Sequence, residues 1–334
     1  MASVVQSWGE VLRTQNLSPD KPMDPVSRWL LITRASVFPM TLTSAAIGGL
    51  LAIGAPRTHW LYFTAALLGL VLAHAANNMI NDYFDLEGGV DTEGYARTLY
   101  APHPVLSGLI SKSGLILAIA ITNLIDLGLL IFLTDRLGWP VALFALLGLF
   151  ISVFYVAPPL KLKHRGLGEP GVFVVWGPLM IGGTYYVTAG SLPPWVLVAS
   201  LPYAVLVTTV LMGKHVDKLE ADAAKGIRTL PVILGRERAL FFTQQLLVFF
   251  FVFVVCLVLT GTLSVWTLLV LLAVPRLWEV LKVLSRPRPE AAPPNYPLWP
   301  LWYVAWCFLV TRRAGALFVA GLILDAILPV RLPT

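Results

Sequence analysis

Long apolar runs alternate with polar stretches along the whole chain. Nine runs approach the roughly 20 residues that a helix needs to cross a bilayer core: 30–55, 59–80, 113–134, 138–157, 170–190, 194–214, 239–260, 264–284 and 303–328. The pattern predicts an all-α, polytopic membrane protein with about nine transmembrane helices. The stretches between the runs are unequal: 81–112, 158–169 and 215–238 are long, whereas 56–58, 135–138 and 191–193 are short. No linker divides the chain. The expected organisation is a cytoplasmic segment over 1–29 and a single transmembrane domain over 30–334. Arg312 and Arg313 interrupt the last run, and Trp299, Trp302, Tyr303 and Trp306 before it suit an interfacial belt.

Composition agrees with the pattern. Charged residues make up 13% of the chain and hydrophobic ones 57%, with a mean hydropathy of +0.78. A soluble domain carries roughly 25% charged residues. The net charge of +6 is distributed as a topology signal, which excludes nucleic acid as the expected partner. One set of loops holds most of the basic residues, among them Arg28, Arg97, Lys112, Lys163 and Arg238, while the other holds Arg57, Arg136 and Arg331. The positive-inside rule then places the N-terminus and the long loops in the cytoplasm and the C-terminus outside. Both cysteines, Cys256 and Cys307, lie in apolar runs and read as small hydrophobes.

Two acidic clusters stand at the ends of apolar runs, where carboxylates are costly and rare without a purpose. In the first, Asn78, Asn81, Asp82 and Asp85 are three or four residues apart, which puts them on one helix face. Gly88-Gly89 then allows the chain to fold back towards Asp91. The second is Lys214-His215-Val216-Asp217-Lys218-Leu219-Glu220-Ala221-Asp222. A divalent metal holding a diphosphate is the natural shared load, because Mg²⁺ takes hard oxygen ligands from carboxylates and substrate phosphates together.

The stretch Asn81-Asp82-Tyr83-Phe84-Asp85, followed by Gly89-Val90-Asp91-Thr92, resembles the first aspartate-rich motif of the UbiA superfamily of intramembrane prenyltransferases. The gap from Asp85 to Asp91 is similar to the menaquinone-pathway branch, since the ubiquinone-pathway pattern would put an acid at Gly89. His103 to Ser111, Tyr155 with Pro158 to Lys163, and Gly226 to Gly235 resemble further family stretches, in order and at family spacing. The second motif departs from the pattern. The family places aspartates at the positions of 218 and 222, whereas this chain has Lys218 and Asp222, with Asp217 one residue early. On an ideal helix Asp217 and Asp222 point about 140° apart, so both face one metal only if the helix is distorted there; otherwise Glu220, or Asp222 alone, serves the second site.

The resemblance implies helices around a central, cytoplasm-facing cavity, with a prenyl diphosphate and Mg²⁺ between the two motifs. Expected metal ligands are Asn78, Asn81, Asp82, Asp85, Asp91, Asp217 and Asp222. Expected diphosphate contacts are Arg34, Lys161, Lys218 and Arg228. Asp82, Asp85, Asp222 and Tyr155 are the expected catalytic residues. Asn123 and Asp126, in mid-span, are expected to hydrogen-bond between helices. The implied activity is Mg-dependent transfer of a prenyl group to an aromatic, quinone-precursor-like acceptor in the lipid bilayer. The irregular second motif leaves a UbiA-type terpene cyclase, acting without an acceptor, as the alternative. A transporter fits less well, since transporter ion sites lie near the midplane and these acids stand at helix ends.

Overall fold

The computed structural model of the chain describes residues 2–332 other than 295 and 297. Its helices are α1 (Ala2–Thr14), α2 (Pro25–Ile32), α3 (Phe38–Leu51), α4 (Trp60–Glu87), α5 (Ala96–Tyr100), α6 (Lys112–Leu137), α7 (Trp139–Phe154), α8 (Gly168–Val174), α9 (Gly183–Ala189), α10 (Pro194–Asp217), α11 (Leu219–Ala224), α12 (Leu230–Leu234), α13 (Arg236–Leu259), α14 (Val274–Leu284) and α15 (Tyr303–Ile327). A π-helical stretch, Val175–Gly182, joins α8 to α9 into one rod.

Among the described residues, six helices are long and apolar enough to span a membrane, and a seventh crossing results if the pair Pro25–Ile32 and Ala35–Leu51 counts as one. The expected nine are not reached on that measure. Residues 138–157 form α7, whose 16 residues extend about 24 Å at 1.5 Å per residue, short of the roughly 30 Å hydrocarbon core. Residues 264–284 become a 3-10 helix, Val265–Ala273, that runs into α14. The last run is an unbroken helix despite Arg312 and Arg313. Both cysteines are free, as expected.

Burial sorts the rods. In α10, 78% of the apolar window is buried within the protein, against 11% in α6. α10 is therefore the central strut, and α6 turns side chains such as Leu117, Leu124 and Ile131 outward, as a lipid-facing helix does. Small residues set the closest approaches, as in other membrane bundles. A Cβ on Gly213 of α10 would stand 2.9 Å from the backbone N and Cα of Val304. The start of α15 thus rests directly on α10, one turn before Asp217.

The elements that position the site have local causes. Asp24 caps α2, its carboxylate accepting from the backbone N–H groups of Val26 and Ser27, with Pro25 in the first turn. Arg34 then takes a left-handed conformation (φ 54°) between α2 and the 3-10 turn Ala35–Val37, and the chain bends by 65°. At the far end of α4, Gly89 (φ +68°) reverses the chain. The N–H groups of Val90 and Asp91 both donate to the Asp85 carbonyl, at 2.8 and 2.9 Å. That fold-back returns Asp91 to the face it shares with Asp82 and Asp85.

Candidate functional site

The last turns of α4 bury Asn78, Asp82 and Asp85, and the loop beyond buries Asp91. Asp82, fully enclosed, is gripped by Arg34, whose Nη2 donates to Oδ1 and whose Nε lies 3.2 Å from Oδ2. Arg97 Nε donates to the same carboxylate at 3.3 Å. Asp85 accepts from Lys163 Nζ at both oxygens, at 2.7 and 2.9 Å. Burial opposes the charge of Lys163, yet Asp85 holds that ammonium above its ordinary pKa. Asn78 is turned aside and donates to the Thr33 carbonyl at 2.9 Å. That bond ties α4 to the bend that carries Arg34.

Two oxygens in this cluster, Asn81 Oδ1 and Asp91 Oδ2, are buried without a hydrogen-bond partner. Leaving such groups unmet is costly. Burial, with Asp85 and Asp82 close by, raises the pKa of Asp91, the mark of anionic crowding that a cation relieves. Asp82, Asp91 and His103 offer donor atoms within 4.8 Å of one another, but His103 is a poor metal ligand. Its Nδ1 accepts from the N–H groups of Val105 and Leu106, both at 3.3 Å. Burial, aided by Arg97, lowers its pKa. With Nδ1 accepting, a ring proton is carried on Nε2, which lies 3.5 Å from Asp91. The oxygens of Asn81, Asp82, Asp85 and Asp91 make the hard ligand set that fits Mg²⁺.

The second cluster is broken where the sequence made it irregular. α10 ends at Asp217, Lys218 leaves helical geometry (ψ 6°), and α11 begins at Leu219. The break does not bring Asp217 round to Asp222. Instead, Asp217 Oδ1 and Oδ2 accept from the N–H groups of Tyr303 and Val304, each at 2.9 Å. The expectation of Asp217 as a metal ligand is thereby corrected: its carboxylate caps α15, a buried helix start that needs acceptors. Glu220 is also drawn away, to Arg236, with its side chain 67% exposed. Asp222 remains, buried, accepting from the Tyr95 hydroxyl and lying 3.6 Å from Lys218 Nζ. Burial and the neighbouring Asp222 raise the Tyr95 phenol far above its usual range, so it keeps its proton and donates. Burial acts against the charge of Asp222, but Lys218 and His215 outweigh it and hold this carboxyl below its ordinary pKa.

A small polar recess joins the two clusters. Asn81, Asp85, Asp91, Lys163, His215 and Lys218 line it, together with Arg34, Arg97, Tyr100, Tyr155 and Lys214. Arg34, Asn81, Tyr100, Tyr155 and Lys214 also line a much larger cavity of about 840 Å³. That cavity continues past Ala66, Leu70, Leu130, Phe144 and Leu179. A charged head space thus opens directly into an apolar chamber. Asn123 and Asp126 line the chamber; Asn123 donates to Ile119 within its own helix at 2.8 Å, and Asp126 fills the space left by Gly69.

Two expected diphosphate contacts lie elsewhere. Lys161 (φ 44°) directs its loop but lines neither space; Lys163, two residues on, is the buried lysine. Arg228 is exposed and pairs through its backbone with Arg165. Sequence reasoning missed Lys163, Arg97, Tyr95 and Lys214 as site residues. Arg97 and Tyr95 had one faint signal, a polar loop between two motifs that belong to one site.

Comparison with known proteins agrees with this geometry. A model of the UbiA prenyltransferase family matches residues 41–303. A 1,4-dihydroxy-2-naphthoate octaprenyltransferase of Bacillus subtilis is 25% identical over 256 residues, 75% of this chain and 80% of its own length. The Haemophilus influenzae protein of the same name is 29% identical, over 64% of this chain and 70% of its own. Among solved structures, an apo UbiA homologue from Aeropyrum pernix K1 superposes with a TM-score of 0.64, at 17% identity, over 86% of this chain and 98% of its own. A UbiA homologue from Archaeoglobus fulgidus bound to DMAPP and Mg²⁺ gives 0.61 at 18% identity, over 90% and 99%. These show the same fold. A family match over most of the chain, on a bundle of membrane-spanning helices, makes the protein an integral-membrane prenyltransferase of the UbiA family.

Proposed function

We propose that the chain transfers a prenyl group from a prenyl diphosphate to an aromatic, quinone-precursor-like acceptor, with Mg²⁺ as cofactor. The observation that carries this reading is the continuity of the polar recess with the 840 Å³ apolar cavity through Arg34, Asn81 and Tyr155. The isoprenoid tail occupies the apolar chamber and the diphosphate lies among Arg34, Lys163, Lys214 and Lys218. Asp82, Asp85, Asp91 and Asn81 would hold the metal, whose charge would offset that of the departing diphosphate. The lysines and Arg34 stabilise the same charge as the allylic C–O bond breaks. Tyr155 borders both spaces and presents its ring towards the allylic carbon, where its π-face stabilises the developing cation. A ring carbon of the acceptor attacks that carbon as the C–O bond to diphosphate breaks; the ring then keeps the bonding pair and loses either a proton, taken up by the released diphosphate, or carbon dioxide from a carboxylated position.

We read the recess as facing the cytoplasm, with the N-terminus on that side and the C-terminus outside. The basic-residue bias of the loops supports this. Nine crossings would add α7 and the Val265–Leu284 stretch to the seven. Residues 1–29 are read as a cytoplasmic segment whose α1 borders the cavity through Leu12 and Arg13, and 30–334 as one transferase domain. The names of the curated relatives support a naphthoate-like acceptor and do not favour cyclisation.

The test is mass analysis after membranes containing the protein are incubated with labelled prenyl diphosphates of several lengths, with and without candidate hydroxylated aromatics. A prenylated aromatic that forms only with both partners supports the reading. Diphosphate release with a hydrocarbon product and no need for an acceptor would replace it with the cyclase.

A further inference from the structure

We propose that the second cluster grips the diphosphate through the Lys218 ammonium rather than through a metal ion, so that one divalent cation, held by the first cluster, accompanies each prenyl diphosphate. The inference rests on the reading of the recess as a prenyl-diphosphate site and goes beyond it in stating the metal stoichiometry and the occupant of the second position.

The two ends of the recess differ in what their oxygens lack. Formal charge does not separate them: Asp82, Asp85 and Asp91 stand against Arg34, Arg97 and Lys163, while Asp222 stands against Lys218. Partnering does. At the first end Asp91 Oδ2 and Asn81 Oδ1 are buried without a hydrogen bond. A cation placed there gains carboxylate and amide oxygens that nothing else satisfies. At the second end, Asp222 Oδ1 already accepts from Tyr95 and faces Lys218. The other two acids of the segment point away, Asp217 into the start of α15 and Glu220 to Arg236. Among the described residues no three ligand-type side chains converge there.

A hexacoordinate Mg²⁺ needs several oxygens in a near-ideal octahedron, and a single carboxylate with an ammonium at its side does not supply them. The ammonium is itself suited to the position. Lys218 lies over the Tyr95 ring, 4.8 Å from its centroid, and lines the recess. Its buried stem limits where it can reach, and Asp222, 3.6 Å away, keeps it aimed. Lysine binds phosphate as a mobile point charge, so a shift from Asp222 to an incoming phosphate oxygen needs only rotamer changes.

Counting bound Mn²⁺ tests the inference directly. The full chain in detergent is saturated with geranyl S-thiolodiphosphate, a slowly ionising analogue, and free Mn²⁺ is followed by its paramagnetic resonance signal. One tightly held Mn²⁺ per chain is expected in the wild type, and two would overturn the inference while leaving the transferase reading intact. Lys218→Asp, which gives the segment a second carboxylate facing Asp222, is expected to raise the count to two. Lys218→Met is expected to keep one Mn²⁺ and weaken analogue binding about tenfold or more, the loss of one charge-assisted hydrogen bond. Analogue affinity unchanged in Lys218→Met would also overturn it. A wild-type chain that binds no analogue at all would remove the diphosphate reading itself.

Discussion

Asp217 gives the sharpest contrast between a residue that looks like a ligand and one that acts as a cap. Its two oxygens accept from Tyr303 and Val304 at 2.9 Å each, and Tyr303 is completely buried. A hydrogen bond to a charged group contributes about 1.5–3 kcal/mol, and a buried donor left without an acceptor costs about 1–3 kcal/mol. Asp217→Ala strands two such donors, so a loss of about 3–5 kcal/mol is expected, much of it in the docking of α15 on α10. Asp217→Asn keeps one oxygen acceptor and loses the charge, for about 1–2 kcal/mol. Because the carboxylate faces away from the recess, the asparagine variant is expected to bind Mn²⁺ with unchanged affinity. The assay is thermal unfolding of the detergent-solubilised protein beside Mn²⁺ titration, with Asp85→Asn as the reference for a true recess carboxylate. The reasoning is refuted if Asp217→Asn loses Mn²⁺ affinity as Asp85→Asn does while its unfolding temperature stays at the wild-type value.

Lys163→Met is expected to reduce prenyl transfer at least tenfold, because it strips Asp85 of both hydrogen bonds and removes a cation from the recess; Lys161→Met, two residues away and outside both spaces, should stay within about twofold, and parallel kinetics of the two variants decide the matter. Gly213→Leu forces a side chain into the backbone of α15, against atoms that would stand 2.9 Å from its Cβ, and should destabilise the bundle by several kcal/mol, about 1–3 from overpacking alone, read as a lowered unfolding temperature. Asp24→Ala removes a cap accepting from Val26 and Ser27 and should free the start of α2, seen as faster hydrogen exchange of those two amides. The Ser27 hydroxyl, with Trp8 and the two amides, lowers the Asp24 pKa to about 2. A depressed carboxyl pKa contributes its stability above the unfolded value and loses it as pH falls through the folded one. The amides are therefore expected to stay protected at pH 5 and to lose protection as pH falls from about 4 to 2.

How far the sequence reached depends on whether a residue's role is set by its own helix or by a distant one. The face shared by Asn81, Asp82 and Asp85 is a property of helical repeat alone, and the return of Asp91 follows from two glycines next to it; both were legible. The irregularity of the second cluster was legible too, as an angle that no ideal helix satisfies. Its resolution was not, because the acceptor demand on Asp217 comes from the first N–H groups of a helix 86 residues further on. Gly213, one turn earlier, lets the start of α15 approach the α10 backbone closely enough for Asp217 to meet that demand. The choice between Lys161 and Lys163 was hidden for the same reason: local sequence makes them equivalent, and the partner that distinguishes them, Asp85, is 78 residues away. The spans show the limit in another form. Hydropathy counts residues that tolerate lipid, and it cannot by itself tell a helix of full spanning length from a 16-residue rod such as α7. A second acidic motif that has exchanged an acid for a lysine is therefore best read by asking which distant donor holds each remaining carboxylate. In this chain that question leaves Asp222 as the one acid of the second motif beside Lys218, and Lys218 lines the recess.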